Sequence, residues 1–311
     1  MATNNSLVNG NFLQRKLKLI IVQILVMFFL CINVLLILTF FKKECFHTTA
    51  RYILFAVSLL SDSLLLFTSD VLLILLHFNI TIPVWVCIII SVLVMLYLTV
   101  TPVTLTVMTL ERYVAICMPL RHGELCSTRR TMHCILIIHG LSSIPGIIIF
   151  STFFASVSLS FYKQYHICAV EIFIIEIWQK HLRTATYQIQ FLIMCFIIVL
   201  CYIKILKIAK AASGENKKLT RKGLSTVVLH GFQLLLCLIQ LWCPFIEAAI
   251  LNFSVYENIR YVNYIMFYLA PKCLNPLIYG LRDECFFSAL KKYASFVINA
   301  SARTMIKCII G

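Results

Sequence analysis

Charge and glycine are what this chain has least of. Of its 311 residues only 13% are Asp, Glu, Lys or Arg, and only 9 are glycine. Water-soluble domains carry about a quarter charged residues, and 61% of this chain is hydrophobic, more than a soluble fold of this length could bury. So few glycines leave little material for a phosphate cradle or a dinucleotide fingerprint. No metal-ligand spacing and no nucleophile–base set appears, and His47, His77, His133 and His139 are scattered. These absences speak against an enzyme, and neither a cofactor nor a metal is expected. No Gly/Ser-rich linker and no internal repeat interrupts the chain. A single membrane domain is therefore expected, without the inverted repeats that mark many transporters.

What is present is a series of apolar runs. Spanning a bilayer takes about 20 mostly apolar residues in a helix, and seven stretches qualify: 17–41, 52–77, 84–117, 132–154, 184–206, 224–251 and 259–281. The expected fold is an all-α seven-helix membrane bundle. It divides into an outer N-terminus (1–16), a receptor-like domain (17–281) and an inner tail (282–311). The first run is too long for a signal-peptide core and lacks a small-residue cleavage site. It is expected to serve as its own insertion signal.

The formal net charge of +15 is a topology signal rather than a nucleic-acid footprint, because the basic residues fall in alternate loops. With the N-terminus outside, the inner segments hold Lys42, Lys43 and Arg51, then Arg112, Arg121, Arg129 and Arg130, then the third-loop series from Lys204 to Lys222, then Arg282, Lys291 and Lys292. The outer segments hold fewer, although Arg15, Lys16 and Lys18 before the first helix oppose the bias. Sequons at Asn4, Asn79 and Asn252 all fall on the outer side and are candidate glycosylation sites; the one at Asn299 falls inside. Most of the 14 cysteines lie in apolar runs, where a thiol behaves as a small hydrophobe. Cys87 and Cys168 alone lie at the outer rim, where an oxidising compartment favours a bridge. The alternative is two free thiols.

Three stretches carry more than topology. Residues 108–120 read MTLERYVAICMPL and place Glu111 and Arg112 at the end of a run uncharged since Asp70. A charge at that depth is costly unless paired or hydrated, and the bland reading is an interfacial ion pair closing a helix. In the sixth run Trp242 precedes Cys243 and Pro244, and a proline inside a helix kinks it. In the seventh run Asn275-Pro276 sets an amide beside a backbone that cannot fully bond itself. Asn33 and Asp62 are its obvious polar partners at mid-depth. Beyond Arg282, phenylalanines alternate with Lys291 and Lys292 as on an amphipathic helix at the inner leaflet.

Together ERYVAICMPL, the Trp-Cys-Pro kink, NPLIY, Asn33, Asp62 and the Cys87–Cys168 pair resemble a rhodopsin-like G-protein-coupled receptor, over about residues 17 to 296. YVAICMPLRH after the arginine, KGLSTVVLH from Lys222 to His230, and LNPLIYGLRD resemble odorant receptors in particular. There are departures. Where mammalian odorant receptors read MAYDRY, this chain has Met108-Thr109-Leu110-Glu111-Arg112-Tyr113. The second outer loop has one cysteine, the fourth helix lacks the usual tryptophan, and the fifth lacks the common proline while keeping Tyr202. The whole is similar to the divergent odorant receptors of fishes.

The resemblance implies a small-molecule odorant as ligand, a heterotrimeric G protein of the stimulatory olfactory type as partner, and the plasma membrane of olfactory neurons as location. Arg112, flanked by Glu111 and Tyr113, is expected to be held by Glu111 at rest and released toward Tyr202 and Tyr279. The ligand pocket is expected among Val94, Met95, Leu98 and Thr99 of the third helix, Phe245, Ile246 and Ala249 of the sixth, and Tyr264 and Phe267 of the seventh. Lys272, a lysine at mid-membrane, is expected to pair with Asp62; the alternative is a lysine turned to a wet cleft or to Asn275. Competing readings are a receptor for a non-odorant small molecule or lipid and, more distantly, a transporter or channel.

Overall fold

The computed structural model describes residues 2–211, 256–274 and 286–292, with scattered positions between 221 and 243. Trp242, Pro244, Phe245, Ile246, Ala249, Asn252, Asn275, Pro276 and Tyr279 lie outside the described residues.

Five helices among the described residues are long and apolar enough to cross a bilayer. They belong to α1 (Ala2–Lys42), α3 (Ala50–His77), α4 (Val84–Cys117), α6 (Thr128–Ser156) and α7 (Ile177–Ala211). Two short helices turn the chain on one side, α2 (Glu44–His47) and α5 (Pro119–Leu125). A last described helix, α8 (Tyr256–Asn263), runs into a π-helical segment (Tyr264–Leu269) and continues helical through 274. The first five apolar runs read from the sequence become helices: α4 coincides with its run, α3, α6 and α7 overrun theirs by a few residues, and α1 starts well before its run, at Ala2. A helix rises about 1.5 Å per residue, so the 34 residues of α4 extend about 50 Å, well past a hydrocarbon core of about 30 Å.

The middle of the bundle is α4, which packs against α3, α6 and α7. Its inner half carries buried threonines whose hydroxyls donate back to the preceding turn: Thr104 to the Val100 carbonyl, Thr106 to that of Pro102 and Thr109 to that of Leu105. That local bonding lets polar residues be buried without exposing an unmet donor. Pro102 in α4 and Pro145 in α6 sit inside their helices, as membrane helices allow where neighbours meet the freed backbone groups.

The apolar core divides by depth. One cluster joins the inner ends of α1 and α3 to α4 and α7 through Phe46, Phe55, Val103, Met108 and Ile205. Phe286 belongs to it, lying 5.2 Å from the Phe46 ring and 5.5 Å from the Phe55 ring. Residues 286–292 are helical, with Phe286 and Ala289 buried and Lys291 and Lys292 exposed, the two-faced pattern expected at the inner leaflet. A second cluster lies at the opposite end, and it is organised by a two-stranded hairpin. Thr81–Pro83 pairs antiparallel with Tyr165–Ile167, Ile82 facing His166. The strand ends hand over to Cys87 in the first turn of α4 and to Cys168, which are bridged in a disulfide.

Candidate functional site

The outer end is a closed, mostly apolar cover. Phe153 is fully buried, with ring centroids 5.1 Å from Phe173 and 6.2 Å from Phe161. With Val84, Met95, Phe150 and Tyr187 it packs around the disulfide. Gln179 stitches the cover to α7: its Oε1 accepts the backbone N–H of Ile175 at 2.8 Å, and its Nε2 donates to Ser156 Oγ at 3.3 Å. Asn79 lies exposed in the turn after α3 with φ of 50°, a left-handed conformation that asparagine tolerates. Asn4 lies within α1.

The third-helix pocket candidates separate by face. Thr99 donates its hydroxyl to the Ser142 carbonyl of α6 at 2.8 Å, and Met95 packs in the outer cluster, where its Cβ lies 3.9 Å from the point at which Gly146 would carry one. One turn apart, both point to α6. Val94 is buried and Leu98 half-buried on the adjoining face. Tyr264 packs on the α1–α3 side with Val22, Val26 and Leu66 and stacks on Tyr268 at 5.0 Å; Phe267 is half-buried. A π-turn holds one more residue than an α-turn, so the segment Tyr264–Leu269 shifts the face that an α-period assigns. Among the described pocket candidates, Met95 and Thr99 thus turn to α6 and Tyr264 to the α1–α3 side.

At mid-depth Asp62 is fully buried and accepts a hydrogen bond from Thr101 Oγ1 at 2.7 Å. Lys272 is 2% exposed, and its ammonium lies 4.7 Å from the centre of the Tyr268 ring. The expected Lys272–Asp62 ion pair is not found among the described residues. A ring face takes the cation instead, an arrangement worth more once water is excluded. Asn33 is also fully buried, and neither end of its amide meets a hydrogen-bond partner among the described residues.

The inner end is built differently. Glu111 and Arg112 are adjacent on α4, and their closest charged atoms, Oε2 and Nε, stand 3.9 Å apart. That is an ion pair, too long for a hydrogen bond, and Arg112 Nε is buried without an acceptor among the described residues. The close partner of Glu111 is one that sequence reading missed. His122 Nε2 reaches Oε1 at 3.1 Å. Tyr113 and Tyr202 are half-buried against the inner apolar cluster. At the same end of the bundle α5 presents Leu120, 100% exposed.

Residues 32–279 match the family of 7 transmembrane receptors (rhodopsin family). The chain is 40% identical to Odorant receptor 131-2 of Danio rerio over 310 residues, which is 98% of this chain and 95% of that protein. It is also 27% identical to Galanin receptor 2a of Danio rerio over 203 residues, 61% of this chain and 53% of that protein. Galanin receptor 2b of the same organism is 25% identical over 230 residues, 66% of this chain and 55% of that one. A match along almost the whole length, with a bundle whose outer end is bridged and whose third helix ends in Glu111-Arg112-Tyr113, leads to one conclusion. The chain belongs to the rhodopsin family of seven-transmembrane receptors, and within it to the odorant receptors.

Proposed function

We propose that this multi-pass plasma-membrane receptor binds a small-molecule odorant in the outer half of its bundle and activates a stimulatory, olfactory-type heterotrimeric G protein at its inner rim. The similarity over 98% of the chain to an odorant receptor is the observation that carries this reading. Geometry supports the division of labour. The outer cover encloses apolar side chains, the environment in which small apolar ligands are usually held, and the inner rim sets Arg112 beside a carboxylate at only ion-pair distance. The N-terminal segment 1–16 lies outside and the tail 282–311 inside, in olfactory sensory neurons. Leu120, exposed on α5, and the basic inner face from Lys204 onward offer the G protein an apolar knob beside positive charge. Trp242 and Pro244 act as the kink of the sixth helix, and Asn275 and Pro276 join Asn33, Asp62 and Lys272 in the polar layer. Tyr202 and Tyr279 receive Arg112 on activation.

The test is heterologous expression with a panel of water-soluble odorants and a cAMP readout. At least one odorant is expected to raise cAMP in a dose-dependent way. A receptor that reaches the surface, ignores the whole panel and responds to a lipid or a peptide instead would replace the odorant by another ligand class.

A further inference from the structure

We propose that His122 is a positioning residue of the cytoplasmic switch: it competes with Arg112 for Glu111, and it does so more strongly when its ring is protonated. The proposal rests on the reading of Glu111 and Arg112 as that switch. Glu111 offers two oxygens to two partners. Oε1 meets His122 Nε2 at 3.1 Å, while Oε2 stands 3.9 Å from Arg112 Nε. An ionised carboxylate only accepts, so Nε2 must carry the hydrogen, in the neutral ring or in the imidazolium. The histidine therefore holds the better bond and the arginine the looser one, and Arg112 Nε has no acceptor among the described residues.

The backbone fixes this geometry. The chain leaves α4 at Met118, whose N–H bonds the Val114 carbonyl, and Pro119 opens α5. The His122 carbonyl then accepts the Cys126 N–H at 2.8 Å, which holds the ring against a residue eleven positions back. Exposure differs usefully within the trio: the Glu111 side chain is 9% exposed, Arg112 21% and His122 35%. The acid is shielded, while the histidine can exchange protons with the cytosol.

Imidazole is the side chain whose ordinary titration falls between about pH 5 and 8. A proton on His122 turns a neutral donor into a cation facing Glu111, and places a like charge near Arg112. Both effects loosen the arginine. The surrounding charges do not reproduce the effect. Arg121 and Glu124 share α5 with His122, and Glu124 is occupied by Arg130 of α6 at 3.0 Å. Cys126, which precedes α6, lies near both Glu111 and Cys134, and its thiol is pushed up to about 11 by burial first, with Glu111 and Cys134 adding to it.

The test measures agonist-free GTPγS exchange on added stimulatory heterotrimer, in open membranes, between about pH 5.5 and 8. For a partly exposed pair a change of about two- to five-fold is the scale. Wild-type exchange should rise by that factor on acidification. H122Q, which keeps a donor but cannot titrate, should be flat across the range, and H122A should be lower at every pH because Arg112 then has Glu111 to itself. A wild-type slope retained in H122Q, or a flat wild type, overturns the proposal. Should agonist-free exchange prove too low to read, melting of wild type, H122Q, E111Q and the double variant supplies the answer. A His122–Glu111 coupling that grows about two- to five-fold toward acid pH supports the proposal, and strict additivity at both ends overturns it. R112A in the same membranes separates the two ideas: exchange unaffected by R112A refutes the switch itself, whatever H122Q does.

Discussion

Both ends of the bundle have an apolar core, but the two ends of α4 are tied to their neighbours by different kinds of contact. Outside, a covalent bridge between Cys87 and Cys168, a strand pair and a packed aromatic cluster close the structure. Inside, the corresponding position on α4 carries an ion pair of 3.9 Å between Glu111 and Arg112 and a hydrogen bond of 3.1 Å between Glu111 and His122, all three partly exposed or close to the surface. A partly exposed ion pair contributes about 0–1 kcal/mol, whereas a native disulfide contributes about 2–5 kcal/mol. A receptor needs a durable ligand chamber and an inner end that small free energies can re-arrange, and this asymmetry supplies both.

The contrast is broken most severely at its strong end. The Cys87–Cys168 bridge closes a loop with a sequence separation of 81, and in the chain-entropy account a long loop gains the most from closure. Cys168→Ser should cost about 2–5 kcal/mol and remove the receptor from the cell surface, as read by labelling of intact cells. Normal surface delivery and unchanged melting would show that the aromatic cover holds without its bridge. The weak end predicts the opposite dissociation between folding and function. Arg112→Ala removes a side chain bound by one loose ion pair, so surface expression and melting should persist while odorant-driven cAMP is lost. An unchanged cAMP response would sink the role given to Arg112.

Between the ends lies the polar layer, where the effect should be intermediate. Thr101→Val keeps shape but deletes the donor that reaches Asp62 at 2.7 Å. Removing one partner of a buried charged acceptor costs about 1–3 kcal/mol, to be read as a fall in melting temperature in detergent or nanodiscs. A neutral outcome would mean that the other contacts of Asp62 suffice.

How much of this could be read in the chain follows from the range of each interaction. The spans were legible because bilayer thickness imposes a length on every apolar run, and α4 coincides with its run at both ends. The Cys87–Cys168 bridge was legible because compartment left just two candidates. The hairpin was not, since three-residue strands such as Thr81–Pro83 carry no periodicity. Nor were the faces of Met95, Thr99 and Tyr264: hydropathy assigns depth but not azimuth, and the π-helical turn at Tyr264–Leu269 breaks the period on which a face assignment depends. His122 escaped because a single histidine in a loop has no pattern. Its partner is chosen by the fold of Pro119–Leu125, which only the three-dimensional structure supplies.

The smallest effect concerns Cys126, and it sharpens the view of the inner rim as a charged but sheltered place. Its thiol, pushed up to about 11 by burial and then by Glu111 and Cys134, sits beside the acid that His122 and Arg112 share. A raised thiol value means less thiolate at neutral pH, and thiolate is the species that reacts. Against an ordinary value of 9.0, the thiolate fraction at pH 7.4 drops by about two orders of magnitude. The greater nucleophilicity of the more basic thiolate recovers part of that, which leaves iodoacetamide labelling slower by on the order of tenfold. Exposed Cys45 gives an internal comparison in the same membranes. Labelling of Cys126, followed by mass spectrometry of the peptide, should lag behind Cys45 at pH 7.4 and gain on it steadily as pH rises. Glu111→Gln removes the second cause of the shift and should speed the Cys126 reaction alone. If Cys126 labels as fast as Cys45 at pH 7.4, the rim is open to water, and the sheltered carboxylate that lets His122 and Arg112 compete is not there.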